Sequence, residues 1–244
     1  MTEKPALNRN QIKYIAITAM IFDHIAMFFM SGDLDKAPLS RVALYSVMRV
    51  IGRLTAPVML FFLVEGFIHT SSRKKYGIRL LIFGLISQIP YSLAHYNSLF
   101  RFDLNVIITL FMTFLMLNAL EKIGNAYLGG AAAAVIAAAT FCCDWGIIGP
   151  IMAWLFYYYR DDRKAQLKSF AIVSGVQVAS AVGFLAMNGK HWYGELWQAG
   201  MFLVIPLLLC YNGEAGKRSA VNKWVFYIFY PLHLLVIWAV KYLA

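Results

Sequence analysis

Residues 13–29, KYIAITAMIFDHIAMFF, form an apolar stretch that is long enough to cross a bilayer as a helix, and they carry Asp23 and His24 deep inside it. An acidic or basic side chain at the centre of a spanning helix costs roughly 2.5–3.5 kcal/mol on insertion scales. Such residues usually face the interior of a helical bundle and mark a pathway or a site. The sequence therefore predicts a polar centre on this helix, with the other segments arranged around it.

The chain as a whole has the composition of a membrane protein. Of its 244 residues, 61% are hydrophobic, whereas soluble domains are about 45–50% apolar. We therefore predict an all-α, polytopic membrane bundle of about nine transmembrane helices, folded as one domain over residues 1–244. The nine apolar runs that reach spanning length are at residues 12–30, 42–68, 77–95, 104–121, 126–143, 145–159, 169–187, 194–211 and 223–243.

Two of these runs contain residues that interrupt helices. Gly52 allows close approach of another segment in the second run, and Pro57 predicts a kink about one turn later. The sixth run is only about fifteen residues long. Gly146, Gly149 and Pro150 at its start predict either a tight hairpin or a re-entrant break.

Basic residues predict the orientation in the membrane. The net charge is +10, and most of the Lys and Arg residues lie in short loops, where they set topology. With a cytoplasmic N-terminus, 15 of the 22, among them Lys4, Arg218 and Lys223, fall on the cytoplasmic side and 5 on the other. This distribution predicts N-in, C-out topology and argues against a nucleic-acid partner. The three cysteines lack the spacing of metal ligands, so no metal is expected.

Two arginines in the second run are predicted to lie level with Asp23 and His24. Arg49 and Arg53 are four residues apart, so they share one helix face, and at 1.5 Å per residue Arg53 falls at about the depth of His24. One interpretation is a structural ion pair between Asp23 and one arginine. The other is a functional cavity, which also accounts for the second arginine and for His24.

Further polar residues lie in other runs. Each alone is more simply explained by a hydrogen bond between helices than by a role in a site. Together with Arg49 and Arg53, we predict that the substrate-binding residues include Asn105, Glu65, Tyr230 and His233.

Five stretches, in order over nearly the whole chain, carry a DH pair, R-x-x-x-R with a following EGF, and FYPLH. In this combination they resemble the TraX family, whose members are bacterial inner-membrane proteins associated with N-terminal acetylation of the conjugative pilin. The resemblance implies a multi-pass protein of the bacterial inner membrane. The stretches are residues 7–29, 48–70, 76–93, 102–110 and 223–237.

The chain is more distantly similar to transmembrane acyltransferases of the acyltransferase-3 and heparan-glucosaminide N-acetyltransferase type. Those enzymes carry acyl groups from cytoplasmic acyl-CoA to an acceptor across the membrane and use a histidine in the first helix. In those enzymes the first helix carries an arginine, then ten other residues, then the histidine. Lys13 and His24 have the same spacing, with Lys in place of Arg. Their R-x-x-R pair differs, because Arg49 and Arg53 have one more residue between them.

The resemblance implies an acyltransferase with His24 as general base and Asp23 beside it. Acetyl-CoA is the expected acyl donor, and the expected acceptor is an amine or hydroxyl of a pilin N-terminus, a glycan or a peptide. Either direct transfer or an acyl-histidine intermediate is compatible with the residues. Phosphates of coenzyme A require a basic cytoplasmic mouth, for which the predicted residues are Lys13, Arg73, Lys74 and Lys75.

Two functions of other classes remain open. Asp23, His24 and the arginines would also suit a proton-coupled transporter or flippase, although no internal repeat is evident. A non-catalytic chaperone for pilin assembly would use the same polar set only for packing. Lipid is an expected partner in every case.

Overall fold

The computed structural model describes residues 6–217 and 219–243, apart from the side chains of Asp35 and Lys223. Within these residues the chain is helical, with two isolated bridges in place of strands, so the all-α class is confirmed. The α-helices are α1 (Arg9–Ile25), α2 (Leu39–Gly52), α3 (Thr55–His69), α4 (Arg73–Tyr96), α5 (Val106–Lys122), α6 (Ala126–Ala139), α7 (Ile148–Tyr158), α8 (Arg163–Met187), α9 (Val204–Leu209) and α10 (Ala220–Tyr242).

Six helical segments of the described chain are long and apolar enough to cross a membrane, so the protein is a multi-pass membrane protein. Two apolar helices are shorter: α6 has 14 residues and α7 has 11, or about 21 and 17 Å at 1.5 Å per residue. The count of nine spans and the N-in, C-out orientation stay predictions. The six segments are Arg9–Met30, Leu39–His69, Arg73–Tyr96, Arg163–Met187, Trp192–Leu209 and Trp224–Tyr242.

Three basic residues that contribute to the predicted orientation lie outside the described part of the chain. They are Lys4, Arg218 and, for its side chain, Lys223.

The chain forms two compact units. The first comprises residues up to 59 and residues 162–222, and the second comprises residues 60–161 and residues from 223 onward. In the first unit, α1 packs on α2, and a long 3₁₀-helix, Trp192–Leu203, packs on both α2 and α8. In the second unit, α5 contacts α4, α6 and α7. The single domain over residues 1–244 stays a prediction.

The second apolar run divides into two helices. α2 ends at Gly52, Arg53 and Leu54 form a turn, and α3 begins at Thr55. Pro57 contributes to this break, because it has no N–H to donate to the carbonyl four residues earlier, that of Arg53. A helix break is therefore observed three to four residues before Pro57, within the single apolar segment Leu39–His69, where the sequence predicted a kink.

The first apolar run begins and ends in distinct ways. Asn8 and Gln11 form a reciprocal capping box at the start of α1, with the Asn8 Oδ1 accepting from the Gln11 N–H at 3.1 Å. After Ile25 the helix widens into a π-helix, Ala26–Met30. π-Helical turns are rare and often lie at functional sites, and this one begins two residues after His24.

A tight turn joins α6 to α7. The Asp144 N–H donates to the Leu104 carbonyl at 2.7 Å, which ties the turn to the segment before α5. Trp145 has a φ of +69° and Gly146 a φ of +41°. The chain therefore turns at Trp145 and Gly146, at the start of the run where a hairpin or a re-entrant break was predicted, and the turn places a bulky residue in a left-handed conformation that such residues rarely adopt.

Candidate functional site

Asp23 lies between two arginines in the first unit. Its Oδ1 accepts from Arg49 Nη1 at 2.7 Å, and its Oδ2 accepts from Arg53 Nη2 at 2.9 Å. Asp23 and Arg49 are buried, with side-chain exposed fractions of 9% and 7%, and Arg53 is largely buried, with an exposed fraction of 15%. The structure therefore brings these three predicted residues together, and the carboxylate pairs with both arginines rather than one, which leaves the triad with one net positive charge.

Close packing at Gly52 makes this ion-pair triad possible. A Cβ at Gly52 would overlap the Cβ and carboxyl group of Asp23, so only glycine leaves room for that side chain against α2. Gly52 lies between Arg49 and Arg53 in the sequence. The predicted close approach at this glycine is confirmed, and its partner is Asp23.

Trp197 covers the two guanidinium groups. The Arg49 and Arg53 guanidinium carbons lie 4.0 and 4.7 Å from the centroid of the Trp197 ring. Such cation–π contacts contribute about 0.5–2 kcal/mol each, and more when water is excluded. The triad and Trp197 therefore form one compact charged cluster.

The 3₁₀ geometry explains how Trp197 reaches the arginines. A 3₁₀-helix has three residues per turn, so residues three apart lie on the same face. Gly200 is three residues after Trp197, and a Cβ there would overlap the Val50 carbonyl of α2. One face of the segment thus packs on α2 through Gly200 and covers the arginines with Trp197.

Additional groups lie near Arg49. Tyr45 and Glu195 are close enough to interact with it electrostatically, and Glu195 accepts from Gln198 Nε2 at 3.1 Å. The Nε of Arg49 is buried and has no hydrogen-bond partner among the described residues. One arginine N–H thus remains available for an acceptor that enters this site.

His24 is half-buried on α1 and does not share Asp23's face of the helix. Adjacent helical residues are about 100° apart, and both Asp23 oxygens are occupied by arginines. The imidazole makes an edge contact with Phe28, with ring centroids 5.7 Å apart. Lys13, also half-buried, is eleven residues before His24, which is about three turns, so the two share one helix face.

Asn105 is fully buried in the second unit, and its side chain is engaged within the protein. Its Oδ1 accepts from the Ile107 and Ile108 N–H groups and caps α5, while its Nδ2 donates to the Gly84 carbonyl at 2.8 Å and to Gln88 Oε1 at 2.9 Å. This arrangement orders the start of α5.

Two further predicted residues of the second unit lie on α10. Tyr230 is buried, and its ring centroid is 5.6 Å from that of His233. The His233 ring is stacked on Phe229 at 4.8 Å.

The remaining predicted residues lie on α3 and at the start of α4. Glu65 Oε2 is 3.9 Å from His69 Nε2, and Arg73 Nη1 is 2.9 Å from Glu121 Oε2. The Arg73 guanidinium also lies 4.0 Å above the Phe67 ring. The two lysines that follow, Lys74 and Lys75, are exposed in the first turn of α4.

Sequence reasoning did not identify Trp197 as part of the site. The run 194–211 was interpreted with α-helical periodicity, in which residues 197 and 200 are separated by about 60° around the axis. The sequence feature that could have indicated this role is the spacing of Trp197 and Gly200, three residues apart, in a segment that also contains Glu195.

One protein family and one named relative match nearly the whole chain. The family model described as TraX protein matches residues 8–241. A Dichelobacter nodosus protein named "Probable fimbrial assembly protein FimC, serogroup H1" is 31% identical over 246 residues, which cover 95% of this chain and 94% of that protein. No solved structure matches the chain significantly. The family match over nearly the whole length shows that the chain belongs to the TraX family.

Proposed function

We propose that this protein is a membrane acyltransferase that moves an acyl group, by default acetyl, from acyl-CoA to an amine or hydroxyl acceptor, with His24 as general base. The observation that carries the proposal is the division of roles on α1. Asp23 is held between Arg49 and Arg53, and the half-buried imidazole of the next residue is the proposed general base.

The reaction follows from the chemistry of a neutral imidazole. His24 accepts the proton of the acceptor N–H or O–H as that atom attacks the thioester carbonyl. The C–S bond then breaks, and the coenzyme A thiolate leaves and recovers the proton from the imidazolium. The alternative route, in which the imidazole first becomes acylated, has the same overall balance.

The arginines are the proposed donors to the thioester oxyanion. The buried Nε of Arg49 has no hydrogen-bond partner within the described chain, and the guanidinium groups are held in place by Asp23 and Trp197. Removal of one such donor typically lowers the rate by about 10²–10³. Asn105, whose amide donors are already engaged, is assigned a positioning role at the start of α5.

Two sets of residues, each within a single unit, are proposed as alternative contacts for coenzyme A phosphates. Lys13 shares the face of α1 that carries His24, so it lies along the path from the start of the helix to the imidazole. Arg73, Lys74 and Lys75 occupy the first turn of α4, where positive charge opposes the helix dipole and a bound anion is favourable. This arrangement requires the predicted N-in orientation in the bacterial inner membrane.

The acceptor is proposed from the relative's name. The Dichelobacter nodosus protein is named for fimbrial assembly, which supports a pilin subunit as acceptor. Glycans and other peptides remain acceptors of the same chemical class.

The decisive experiment is thiol release from acetyl-CoA in proteoliposomes, with hydrolysis counted when no acceptor is supplied. We expect release by the wild type and by His191→Ala, whose exposed histidine lies outside the site, and none by His24→Ala. Release that persists in correctly inserted His24→Ala would refute the role of the imidazole. A folded wild type that neither binds acetyl-CoA nor releases thiol, but is protected against heat by a pilin, would support the chaperone function.

A further inference from the structure

Arg79, in the second turn of α4, is a partly buried arginine of the second unit that has no carboxylate partner among the described residues. Six residues earlier on the same helix, Arg73 pairs with Glu121 at 2.9 Å, but none of the ion pairs within the described chain involves Arg79. The Nε of Arg79 is also buried without a hydrogen-bond partner in that part of the chain. A buried positive charge is costly unless a negative group compensates it, so an anion bound from outside the chain would stabilise this residue.

The guanidinium of Arg79 rests on an aromatic ring that is itself held in place. Its central carbon lies 5.6 Å from the centroid of the Tyr76 ring, within the range of a cation–π contact. The Tyr76 ring makes an edge contact with Phe114 of α5, with centroids 5.4 Å apart. On its other side it packs on α3, where a Cβ at Gly66 would lie 2.9 Å from the Tyr76 hydroxyl oxygen. Arg79 is therefore positioned over a surface that three helices fix.

The first turns of α10 lie next to this face of α4. Phe83, four residues after Arg79 and on the same helix face, has its ring centroid 4.9 Å from that of Tyr227, and the Tyr227 phenol interacts with the Arg79 guanidinium. Near the other end of both helices, Trp238 Nε1 donates to Asn97 Oδ1 at 2.9 Å. These two contacts show that α4 and α10 run parallel, so both helices begin at the same membrane surface.

The depth of Arg79 places its guanidinium near the lipid headgroups. α4 has 24 residues, or about 36 Å, so it extends about 3 Å beyond each side of a hydrocarbon layer of about 30 Å when the helix is centred and upright. The Arg79 Cα is about 9 Å from the start of the helix, which is about 6 Å inside that layer. Helical side chains tilt toward the N-terminus of their helix, and Arg79 does so, since it covers a ring three residues earlier. Its long stem thus brings the charge back to the level of the headgroup phosphates.

The surroundings of Arg79 are open to lipid. Ile78 and Ile82 flank it on α4 and are exposed, as are Trp224 and Ile228 on α10. The backbones of α4 and α10 approach each other closely at few described positions, and the two helices touch through aromatic side chains. An apolar groove with a cationic group near its end has the two features of a phospholipid: a surface for acyl chains and a partner for the headgroup.

We propose that Arg79 is the anchor of a phosphate-binding site between the first turns of α4 and α10. A guanidinium is a planar fork that donates two parallel hydrogen bonds to phosphate oxygens, and the Tyr76 ring beneath it holds that fork in place. Exposed Lys74 and Lys75, in the first turn of α4, add attraction for an anion at the same membrane surface. The phosphate belongs either to a lipid headgroup, which the apolar groove favours, or to coenzyme A.

The test is native mass spectrometry of the purified full-length protein in detergent, without acyl-CoA, so that its outcome is independent of acyl transfer. Dioleoyl phosphatidic acid is the probe, and dioleoylglycerol, which has the same acyl chains and no phosphate, is its control. We expect saturable binding of the phosphatidic acid only, weakened about tenfold or more by Arg79→Gln. The matched control variant is Arg101→Gln, because the exposed Arg101 guanidinium also lies over a tyrosine ring, 4.9 Å from that of Tyr96, but beyond the opposite end of α4. Equal binding of the two lipids, or wild-type affinity in folded Arg79→Gln, would overturn the proposal.

Thermal unfolding separates a ligand site from a structural arginine. Because Arg79 has no carboxylate partner within the described chain, we expect Arg79→Gln to leave Tm unchanged or to raise it in the absence of lipid. Phosphatidic acid is expected to raise Tm of the wild type and of Arg101→Gln but not of Arg79→Gln. A lower Tm of Arg79→Gln without lipid, together with an equal rise on adding lipid, would show that Arg79 serves the fold and would refute the site.

Arg79→Lys covers the case in which Arg79→Gln does not fold. Lysine keeps the positive charge but presents a single ammonium in place of the planar fork, so we expect affinity for phosphatidic acid to fall about threefold or more. Wild-type affinity in this variant would contradict a site built on the guanidinium.

Competition distinguishes the two sources of the phosphate. If acetyl-CoA displaces phosphatidic acid from the wild type, and Arg79→Gln or Arg79→Lys weakens acetyl-CoA binding, the site takes the phosphates of coenzyme A. If acetyl-CoA leaves the bound phosphatidic acid in place, the site takes a lipid headgroup.

Discussion

Replacement of Asp23 by Asn is the sharpest test of the ion-pair triad. The substitution preserves shape but removes the charge that two buried guanidinium groups share, at 2.7 and 2.9 Å. An Asn amide has one acceptor oxygen, and its nitrogen places donors against the donors of the second arginine. Loss of one partner from a buried ion pair typically costs roughly 3–5 kcal/mol, because the remaining charge stays buried without compensation.

The expected loss translates into a large change in heat stability. For a chain of this size, each kcal/mol corresponds to about 2–4 °C in Tm, so we expect Asp23→Asn to lower Tm by about 6–20 °C. The measurement is thermal unfolding in detergent, followed by near-ultraviolet circular dichroism. Trp197 stays over the arginines in the variant and moderates the loss, which favours the lower part of this range.

Asp33→Asn is the matched control. Asp33 pairs with Lys36 at 3.7 Å, but the two side chains are 72% and 83% exposed, so this pair contributes little. Asp33 has a φ of +48°, a conformation that Asn also adopts readily. If Asp23→Asn unfolds at the same temperature as Asp33→Asn, the carboxylate does not hold the two arginines as a buried ionic lock, and the assignment of roles on α1 fails.

Three further substitutions test other contacts, two in the first unit and one in the second. Trp197→Leu is expected to lower stability by about 0.5–2 kcal/mol for each lost cation–π contact, while Trp197→Phe retains most of it; equal losses in the two variants would mean that the ring contributes only its volume. Gly52→Ala is expected to cost about 1–3 kcal/mol, because its Cβ overlaps Asp23, whereas Gly32→Ala, with no atom nearby, serves as the control in the same unfolding assay. Glu121→Gln frees Arg73 from its ion pair and, if Arg73 binds coenzyme A phosphates, lowers the KM for acetyl-CoA; an unchanged KM would argue against that contact.

The centre of the site was predictable because ionisable residues in an apolar run are costly. The depth of Asp23 along its helix and the four-residue spacing of Arg49 and Arg53 sufficed to predict their meeting. Gly52 was identified for the same reason, since a close approach needs a residue without a side chain. These inferences depend only on helix geometry within one or two segments.

Other features depend on partners that are distant in sequence. Nothing in the sequence around Arg73 indicates that it pairs with Glu121, 48 positions later. For Asn105 the sequence did contain a local signal, because an Asn directly before an apolar run is a typical N-cap. The contacts observed for Asn105 are those of an N-cap, rather than those expected of a substrate-binding residue. The helix α7 is also shorter than predicted. It has 11 residues, whereas the apolar run that predicted it covers residues 145–159.

The 3₁₀-helix Trp192–Leu203 makes this span sensitive to changes in chain length. At about 2.0 Å per residue, its 12 residues extend about 24 Å, whereas an α-helix of equal length extends about 18 Å, so few residues are needed to cross the hydrocarbon layer. Three residues per turn also mean that deletion of a single residue at Gln198 or Ala199 rotates Trp197 by about 120° relative to Gly200. Point substitutions at those two positions leave the register of the helix intact. An insertion or deletion there would instead keep the packing of Gly200 on α2 while moving Trp197 away from the arginines.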